Sequence, residues 1–297
     1  MRVDVTSSTA LRFADGSPVR AASGVARYGA GWLVVQDDAT HGCVWEWGTG
    51  RAIRLVPQVE GHETFEEASG TKALKPDLEA VVALRDGGVL ALGSGSTPAR
   101  MRAVLVSPSG ATMVGELSQV YARVAVALGV QPDQLNLEGA CVLGDVLRWF
   151  QRGLPSAGAP TSSVDLPLRP LLAAMSGGPA DVPVLALQRY DLGAVADVGL
   201  AVTDAVALPN GQVLVSAAAE DSPTTYDDGP VVGSALALLD GDRLVDTLEL
   251  PSLDGTVAKV EGLGLAGHHD GRVDLVAVVD ADDPEVPSLL LELAVSL

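Results

Sequence analysis

EGLGLAGHHDGRVDLVAVVDADD, at residues 261–283, contains two apolar runs separated by a glycine-containing turn, and it ends in a cluster of acids. Small and apolar residues follow Glu261, and the turn HHDG is of the kind that connects antiparallel strands. The segment therefore predicts a β-hairpin whose first strand begins at an acidic residue.

The same pattern occurs four more times along the 297-residue chain. The first runs begin at Ser23, Glu79, Glu138 and Asp204, and their turns read YGAG, RDGG, LGD and PNG. The five starting positions are 56, 59, 66 and 57 residues apart, and the residues after Glu261 together with those up to Ser23 make a further period of 59. Repeats of this length, each with several short strands, are typical of β-propellers.

The sequence therefore predicts an all-β, five-bladed β-propeller that forms a single domain over residues 1–297. Residues Val3 to Thr6 would supply the strand that the last blade lacks and so close the ring. A six-bladed propeller, with the third unit split in two, is the alternative. Further strands are predicted at 43–47, 52–56, 102–107, 112–117, 231–239 and 244–250.

The third unit is longer than the others and interrupts the strand pattern. Residues 117–128 carry apolar side chains at helical spacing without Gly or Pro, which predicts a surface helix. Residues 165–175 are consistent with a short helix, and 182–192 with the third strand of this unit.

The charge of the chain limits its partners. Nineteen basic residues stand against 38 acidic ones, a formal charge of −19, which argues against binding nucleic acid or an anionic membrane. No apolar run reaches the ~18 residues that span a bilayer, and the first residues do not resemble a signal peptide, so we expect a cytoplasmic protein. Cys43 and Cys141 are flanked by strand-like residues and are expected to be buried free thiols.

In a propeller the first strand of each blade lines the central channel, so equivalent residues of these strands form a ring. The predicted ring consists of Ser23, Glu79, Glu138, Asp204 and Glu261. Four converging carboxylates would repel one another, and a hard cation with oxygen ligands resolves the repulsion. We expect Ca²⁺, with Mg²⁺ as the alternative. In the competing interpretation each acid caps backbone amides of the neighbouring blade and no ion is bound.

Second strands run antiparallel to first strands, so their ends meet the ring at one mouth of the channel. Polar residues concentrate there and predict a pocket for a small molecule. The candidate general bases are Asp37, Asp221 and Asp280. The candidate substrate-binding residues are Lys75, Arg100, Arg152, Lys259 and Tyr226.

The ring order resembles that of the calcium-activated nucleotidases (apyrases), five-bladed propellers with Ser, Glu, Glu, Ser and Glu around a central Ca²⁺. Glu138-Gly-Ala-Cys followed by Leu147-Arg-Trp-Phe150 is similar to the third inner hairpin of that family. The resemblance implies Ca²⁺ ligation by Ser23, Glu79, Glu138 and Glu261, whereas Asp204 stands where the family has Ser. The acid-containing pattern is also similar to esterase-like, phytase-like and lactonase-type propellers.

Two functions fit these expectations. The first is a metal-dependent hydrolase of a small phosphate ester, anhydride or lactone, in which the cation activates the substrate or a water molecule. The second is a non-catalytic propeller that binds a ligand or a protein and holds its ion for structural reasons.

Overall fold

The computed structural model describes residues 1–154, 159–221, 229–253, 255–269, 271–281 and 283–297. Within these residues the chain forms five antiparallel sheets, arranged as the blades of a five-bladed β-propeller. The innermost strand of each blade contacts the innermost strands of both neighbouring blades. The predicted fold is confirmed.

The blades follow one another in sequence, and their strands are as follows. Blade 1 contains β2 (Ala22–Tyr28), β3 (Gly31–Gln36), β4 (His41–Glu46) and β5 (Thr49–Arg54). Blade 2 contains β6 (Leu78–Ala83), β7 (Val89–Gly93), β8 (Arg102–Val106) and β9 (Thr112–Glu116). Blade 3 contains β10 (Leu137–Leu143), β11 (Val146–Gln151), β12 (Thr161–Pro167) and β13 (Ala186–Tyr190). Blade 4 contains β14 (Ala194–Val195), β15 (Val198–Ala207), β16 (Val213–Glu220), β17 (Val231–Asp240) and β18 (Arg243–Glu249). Blade 5 contains β19 (Val260–His269), β20 (Arg272–Val279), β21 (Leu289–Ser296) and β1 (Arg2–Ala10).

The first strand of the chain closes the ring, as predicted. β1 is the outermost strand of blade 5 and pairs antiparallel with β21, from Arg2 opposite Ser296 to Ala10 opposite Leu289. The strand is longer than the predicted Val3–Thr6. Because the first and last strands of the described chain pair in one sheet, backbone hydrogen bonds between β1 and β21 close the ring.

The third unit forms one sheet, which excludes the six-bladed alternative. Its third strand is β12, so residues 182–192 contain the fourth strand and not the predicted third. The cause lies in residues 154–163, whose Pro- and Ser-rich composition hides the start of β12 at Thr161.

Two helices accompany this region. α1 (Ser118–Leu128) confirms the predicted helix and ends at Gly129, whose φ of +73° suits glycine. One face of α1 is buried, and the Tyr121 hydroxyl donates to the Gly93 carbonyl oxygen at 2.7 Å. α2 (Leu168–Met175) is the short helix. None of the helices in the described ranges is long and apolar enough to cross a membrane.

The apolar core is divided among the five interfaces between adjacent blades. Side chains alternate along each strand, so each sheet presents one apolar face to the blade before it and one to the blade after it. Cys43 and Cys141 are free thiols within two of these interfaces, and burial raises the pKa of both to about 12. The predicted role of the cysteines as buried thiols is confirmed.

Candidate functional site

The five innermost strands β2, β6, β10, β15 and β19 bring their ring residues to one mouth of the channel. In each strand the pairing register with the second strand shifts at this point, which indicates a β-bulge. A bulge inserts an extra residue and changes the direction of its side chain. The shift lies at Ser23, Glu79 and Glu261, and it spans Glu138 in β10.

In β15 the shifted residue is Thr203 and not Asp204. The hydroxyl of Thr203 donates to the carbonyl oxygen of Val260 at 2.6 Å, just as the Ser23 hydroxyl donates to that of Leu78 at 2.6 Å. Both acceptors immediately precede a ring glutamate of the next blade. The structure therefore places Ser23, Glu79, Glu138, Thr203 and Glu261 at equivalent positions.

Asp204 lies one residue further along β15 and has a different environment. Its side chain is fully buried, and Oδ2 accepts the backbone N–H of Leu263 at 2.7 Å. Burial raises the pKa of Asp204 well above its usual range. Asp204 caps an amide of the neighbouring blade, which is the structural role that the sequence left open for the predicted ring. Gly139 on the other side has no space for a side chain, since a Cβ there would lie 2.7 Å from Asp204 Cα.

One side of the mouth holds three carboxylates and a lysine. Asp37, Asp77 and Glu79 each place a carboxylate oxygen within 4.8 Å of the other two. The ammonium of Lys75 lies 2.6 Å from Asp37 Oδ2 and 2.7 Å from Asp77 Oδ1, and Arg100 Nη1 lies 2.8 Å from Asp77 Oδ2. Asp77 is 3 % exposed and has a left-handed φ of +55°. From the sequence, Asp77 is expected in the loop that enters the first strand of blade 2 at this mouth, but it was not among the predicted site residues.

The pKa values of the three carboxylates shift in different directions. Burial raises the pKa of Asp37 and, together with the charges of Asp77 and Asp37, raises that of Glu79 well above its usual range. Burial acts on Asp77 as well, but Lys75 and Arg100 hold its pKa below the ordinary value. Glu79 forms neither a hydrogen bond nor an ion pair with any residue of the described ranges. It is therefore the carboxylate most in need of a cation.

The opposite side of the mouth is an alternating network of acids and bases. Arg152 Nη1 lies 3.0 Å from Glu138 Oε1, and its Nη2 contacts Glu220. Lys259 Nζ lies 2.7 Å from Glu261 Oε1 and 3.8 Å from Glu220 Oε2. Glu138 Oε2 is buried and has no hydrogen-bond partner among the described residues, and burial raises the pKa of Glu138 to about 7.

These side chains enclose a cavity of about 120 Å³. Of the predicted site residues, the cavity is lined by Ser23, Asp37, Lys75, Glu79, Arg100, Glu138, Arg152, Lys259, Glu261 and Asp280. Asp204 and Asp221 do not line it, and Asp221 is exposed. Tyr226 lies outside the described residues. The lining also contains Lys72, Asp77, Ser96 and Asn136, which sequence reasoning did not select as site residues.

The donor set fits a hard divalent cation. All the side chains at the ring present oxygen atoms, which Ca²⁺ and Mg²⁺ prefer. Glu79 without a partner and Glu138 with an unpaired buried oxygen both indicate unmet demand for positive charge. Glu79, Asp37 and Asp77 are the residues that would hold the ion, with Glu138 facing the same cavity.

Comparison with known proteins supports the fold. The chain is similar to a mannose phosphorylase from Leishmania mexicana (16% identity, 97% of this chain and 88% of that chain, TM-score 0.51). It is also similar to a candidate glycoside hydrolase from Parabacteroides distasonis (10% identity, 92% and 86%, TM-score 0.50) and, with a TM-score of 0.45, to a luciferin-regenerating enzyme (9% identity, 94% and 78%). At these identities the likeness concerns the fold and not the reaction.

A comparison with curated proteins finds no significant match. A family model does match, over residues 71–284, a span that contains the three ring glutamates and most of the mouth. The chain belongs to this family, the family of unknown function DUF6910.

Proposed function

We propose that the mouth of the channel binds a divalent cation, Ca²⁺ in preference to Mg²⁺, and that the protein is a cation-dependent hydrolase of a small phosphate ester, anhydride or lactone. One observation carries the proposal. Glu79 forms no hydrogen bond or ion pair within the described residues, and its carboxylate lies within 4.8 Å of those of Asp37 and Asp77. Buried charges in proteins are paired or coordinate metals, and Lys75 and Arg100 form ion pairs with Asp37 and Asp77 but not with Glu79.

The corrected ring supports calcium. With Thr203 in place of Asp204, the order of side chains becomes Ser, Glu, Glu, Thr and Glu. The calcium-activated nucleotidases, which the sequence resembles, have a hydroxyl residue at the same fourth position. Hydroxyl and carboxylate side chains therefore follow one another in the same order in both rings. Asp204, the one residue that departed from the family's order, is not a member of the corrected ring.

The cations of the mouth support an anionic substrate. All three lysines of the chain, together with Arg100 and Arg152, line a cavity of about 120 Å³ in a protein whose net charge is −19. Such a concentration of basic groups in an acidic protein suits a ligand with phosphate or carboxylate oxygens. These groups form ion pairs with carboxylates of the mouth, and an anionic substrate would compete for the same donors.

The chain's own residues supply the acid–base chemistry. When bound, a divalent cation polarises a phosphoryl or carbonyl oxygen or lowers the pKa of a coordinated water. Asp37 would hold the ion and forms an ion pair with Lys75, so Asp280, which lines the same cavity, is the candidate general base. Lys75 and Arg152 would orient the anionic oxygens of the substrate.

Metal analysis and a substrate screen test the proposal. We expect the purified protein to contain a divalent cation, and added Ca²⁺ to raise its melting temperature by binding only the folded state. Phosphate esters, nucleotides, other anhydrides and lactones would be screened with Ca²⁺, Mg²⁺ and Mn²⁺. Glu79→Gln should weaken Ca²⁺ binding at least tenfold and abolish turnover.

The matched control is Glu249→Gln on the exposed edge strand β18, which should behave as the wild type. If no cation binds and none changes the melting temperature, the proposed site is wrong. If Ca²⁺ binds and is lost in Glu79→Gln while every substrate stays intact, the protein is a ligand-binding propeller with a structural ion.

A further inference from the structure

A second cavity adjoins the mouth on the side of blade 1. Its volume is about 330 Å³, and it shares Asp37, Lys75 and Asp280 with the mouth. The mouth, at about 120 Å³, falls below the ~300–1,000 Å³ of ordinary small-molecule sites, whereas the second cavity lies within that range. A substrate whose reacting group occupies the mouth therefore finds room for a larger portion in the second cavity.

The outer wall of this cavity is formed by residues 57–77 of the connector between β5 and β6. The backbone N–H of Phe65 donates to the Asp38 carbonyl oxygen at 2.8 Å, and that of Thr40 donates to the Glu63 carbonyl oxygen at 2.8 Å. Arg20 joins the two walls, since its guanidinium lies 2.7 Å from Asp38 Oδ2 and 2.7 Å from Glu66 Oε1. The connector is thus fixed in place at several points and forms a built wall.

The charged side chains that line the cavity indicate which type of ligand it can bind. Three cationic and six acidic side chains line the cavity, so a purely anionic ligand would meet repulsion from the carboxylates and a purely cationic ligand from Arg20, Lys72 and Lys75. An apolar ligand would displace water from these charged groups without offering hydrogen bonds in its place, at a large cost. Hydroxyl groups both donate and accept hydrogen bonds, and they can satisfy both kinds of side chain.

We propose that the second cavity binds a polyhydroxylated portion of the substrate, so that the full ligand is a polyol or sugar derivative whose anionic or lactone group enters the mouth. This inference deepens the proposed function and rests on it for the identity of the reacting group. The connector 57–77 is then the element that determines specificity.

The test compares ligands that differ in their hydroxylated portion. Calorimetry with Ca²⁺ would measure binding of 6-phosphogluconate, glucose 6-phosphate and methyl phosphate. We expect the wild type to bind at least one of the two hydroxylated phosphates ten or more times more tightly than methyl phosphate. Ala68→Trp places an indole ring in the cavity from an exposed position and should reduce this preference to less than twofold, with binding of methyl phosphate unchanged.

Ala111→Trp is the matched control, since Ala111 is exposed on the turn between β8 and β9 and does not line either cavity. Thermal unfolding checks that both variants are folded, and Ala68→Phe repeats the test with a smaller ring. Equal binding of all three probes, absence of binding, or a preference that survives Ala68→Trp would overturn the inference. A preference lost in Ala68→Trp, in a protein that hydrolyses nothing, would support the second cavity and refute only the catalytic proposal.

Discussion

Arg152 is the residue whose removal should reveal most about the charge balance of the mouth. Its side chain is 14% exposed and pairs with Glu138 and Glu220, whose side chains are 9% and 5% exposed. Arg152→Met keeps an unbranched apolar stem but removes the guanidinium, which leaves two buried carboxylates without their shared cation. Breaking a buried pair costs about 3–5 kcal/mol. Because Lys259 remains 3.8 Å from Glu220, we expect a loss near the lower end, about 3 kcal/mol at pH 7.5.

The loss should depend on pH in a defined direction. Burial raises the pKa of Glu138 to about 7 in the folded protein, above the value of 4.5 that applies when the chain is unfolded. Between these values the folded state binds more protons than the unfolded state, so stability falls as the pH rises and the penalty is complete above pH 7. Without Arg152, whose charge lowers this pKa, the group titrates at still higher pH. At pH 5.5 Glu138 is neutral, and the cost of Arg152→Met should shrink to about half.

Urea denaturation at pH 5.5 and pH 7.5, followed by tryptophan fluorescence, measures both quantities. Arg2→Met is the control, because the pair of Arg2 with Asp4 is largely exposed and should not affect stability measurably. A loss below about 1 kcal/mol at pH 7.5, or equal losses at the two pH values, would refute the view that Arg152 neutralises buried carboxylates.

Three further predictions test the architecture. Thr203→Val removes the hydrogen bond to the Val260 carbonyl oxygen and should destabilise the protein by about 1–2 kcal/mol in urea denaturation. Asp204→Asn should leave Ca²⁺ affinity unchanged, and a loss of Ca²⁺ affinity in this variant would return Asp204 to the ring. Gly262→Ala places a Cβ 2.6 Å from the Cα of Gly24, so we expect a loss of about 1–3 kcal/mol, and an unchanged midpoint would contradict the close approach of blades 5 and 1. Deleting residues 2–10 should lower the melting temperature and broaden the transition, and a cooperative melt like that of the full chain would show that β1 is not needed for closure.

The fold could be predicted from the sequence because its determinants are local. Two apolar runs and a glycine turn specify a hairpin, and five copies at nearly equal spacing specify a ring. The closing strand followed from the missing part of the last period and not from any feature of β1 itself. The third unit was the exception, since prolines and serines ahead of β12 removed the signal for its beginning.

The site could be predicted only in part, for two physical reasons. The sequence does not reveal which residue of β15 occupies the bulge, so Asp204, which adjoins Thr203 and is chemically like the ring glutamates, was selected in its place. The second cavity depends on the connector 57–77, which has no strand pattern and whose path is set by contacts with Asp38 and Arg20. Contacts of this kind join residues distant in sequence and leave no periodic signal.

The ladder between β1 and β21 also constrains biosynthesis. About 280 residues separate the two strands, and at roughly 5–20 residues per second a ribosome needs on the order of 15 s to a minute to translate them. During that interval the first strand has no partner and must avoid pairing elsewhere. Its alternation of half-buried and exposed positions, with charged Arg2 and Asp4 on the exposed set, keeps the waiting strand soluble until the last blade emerges.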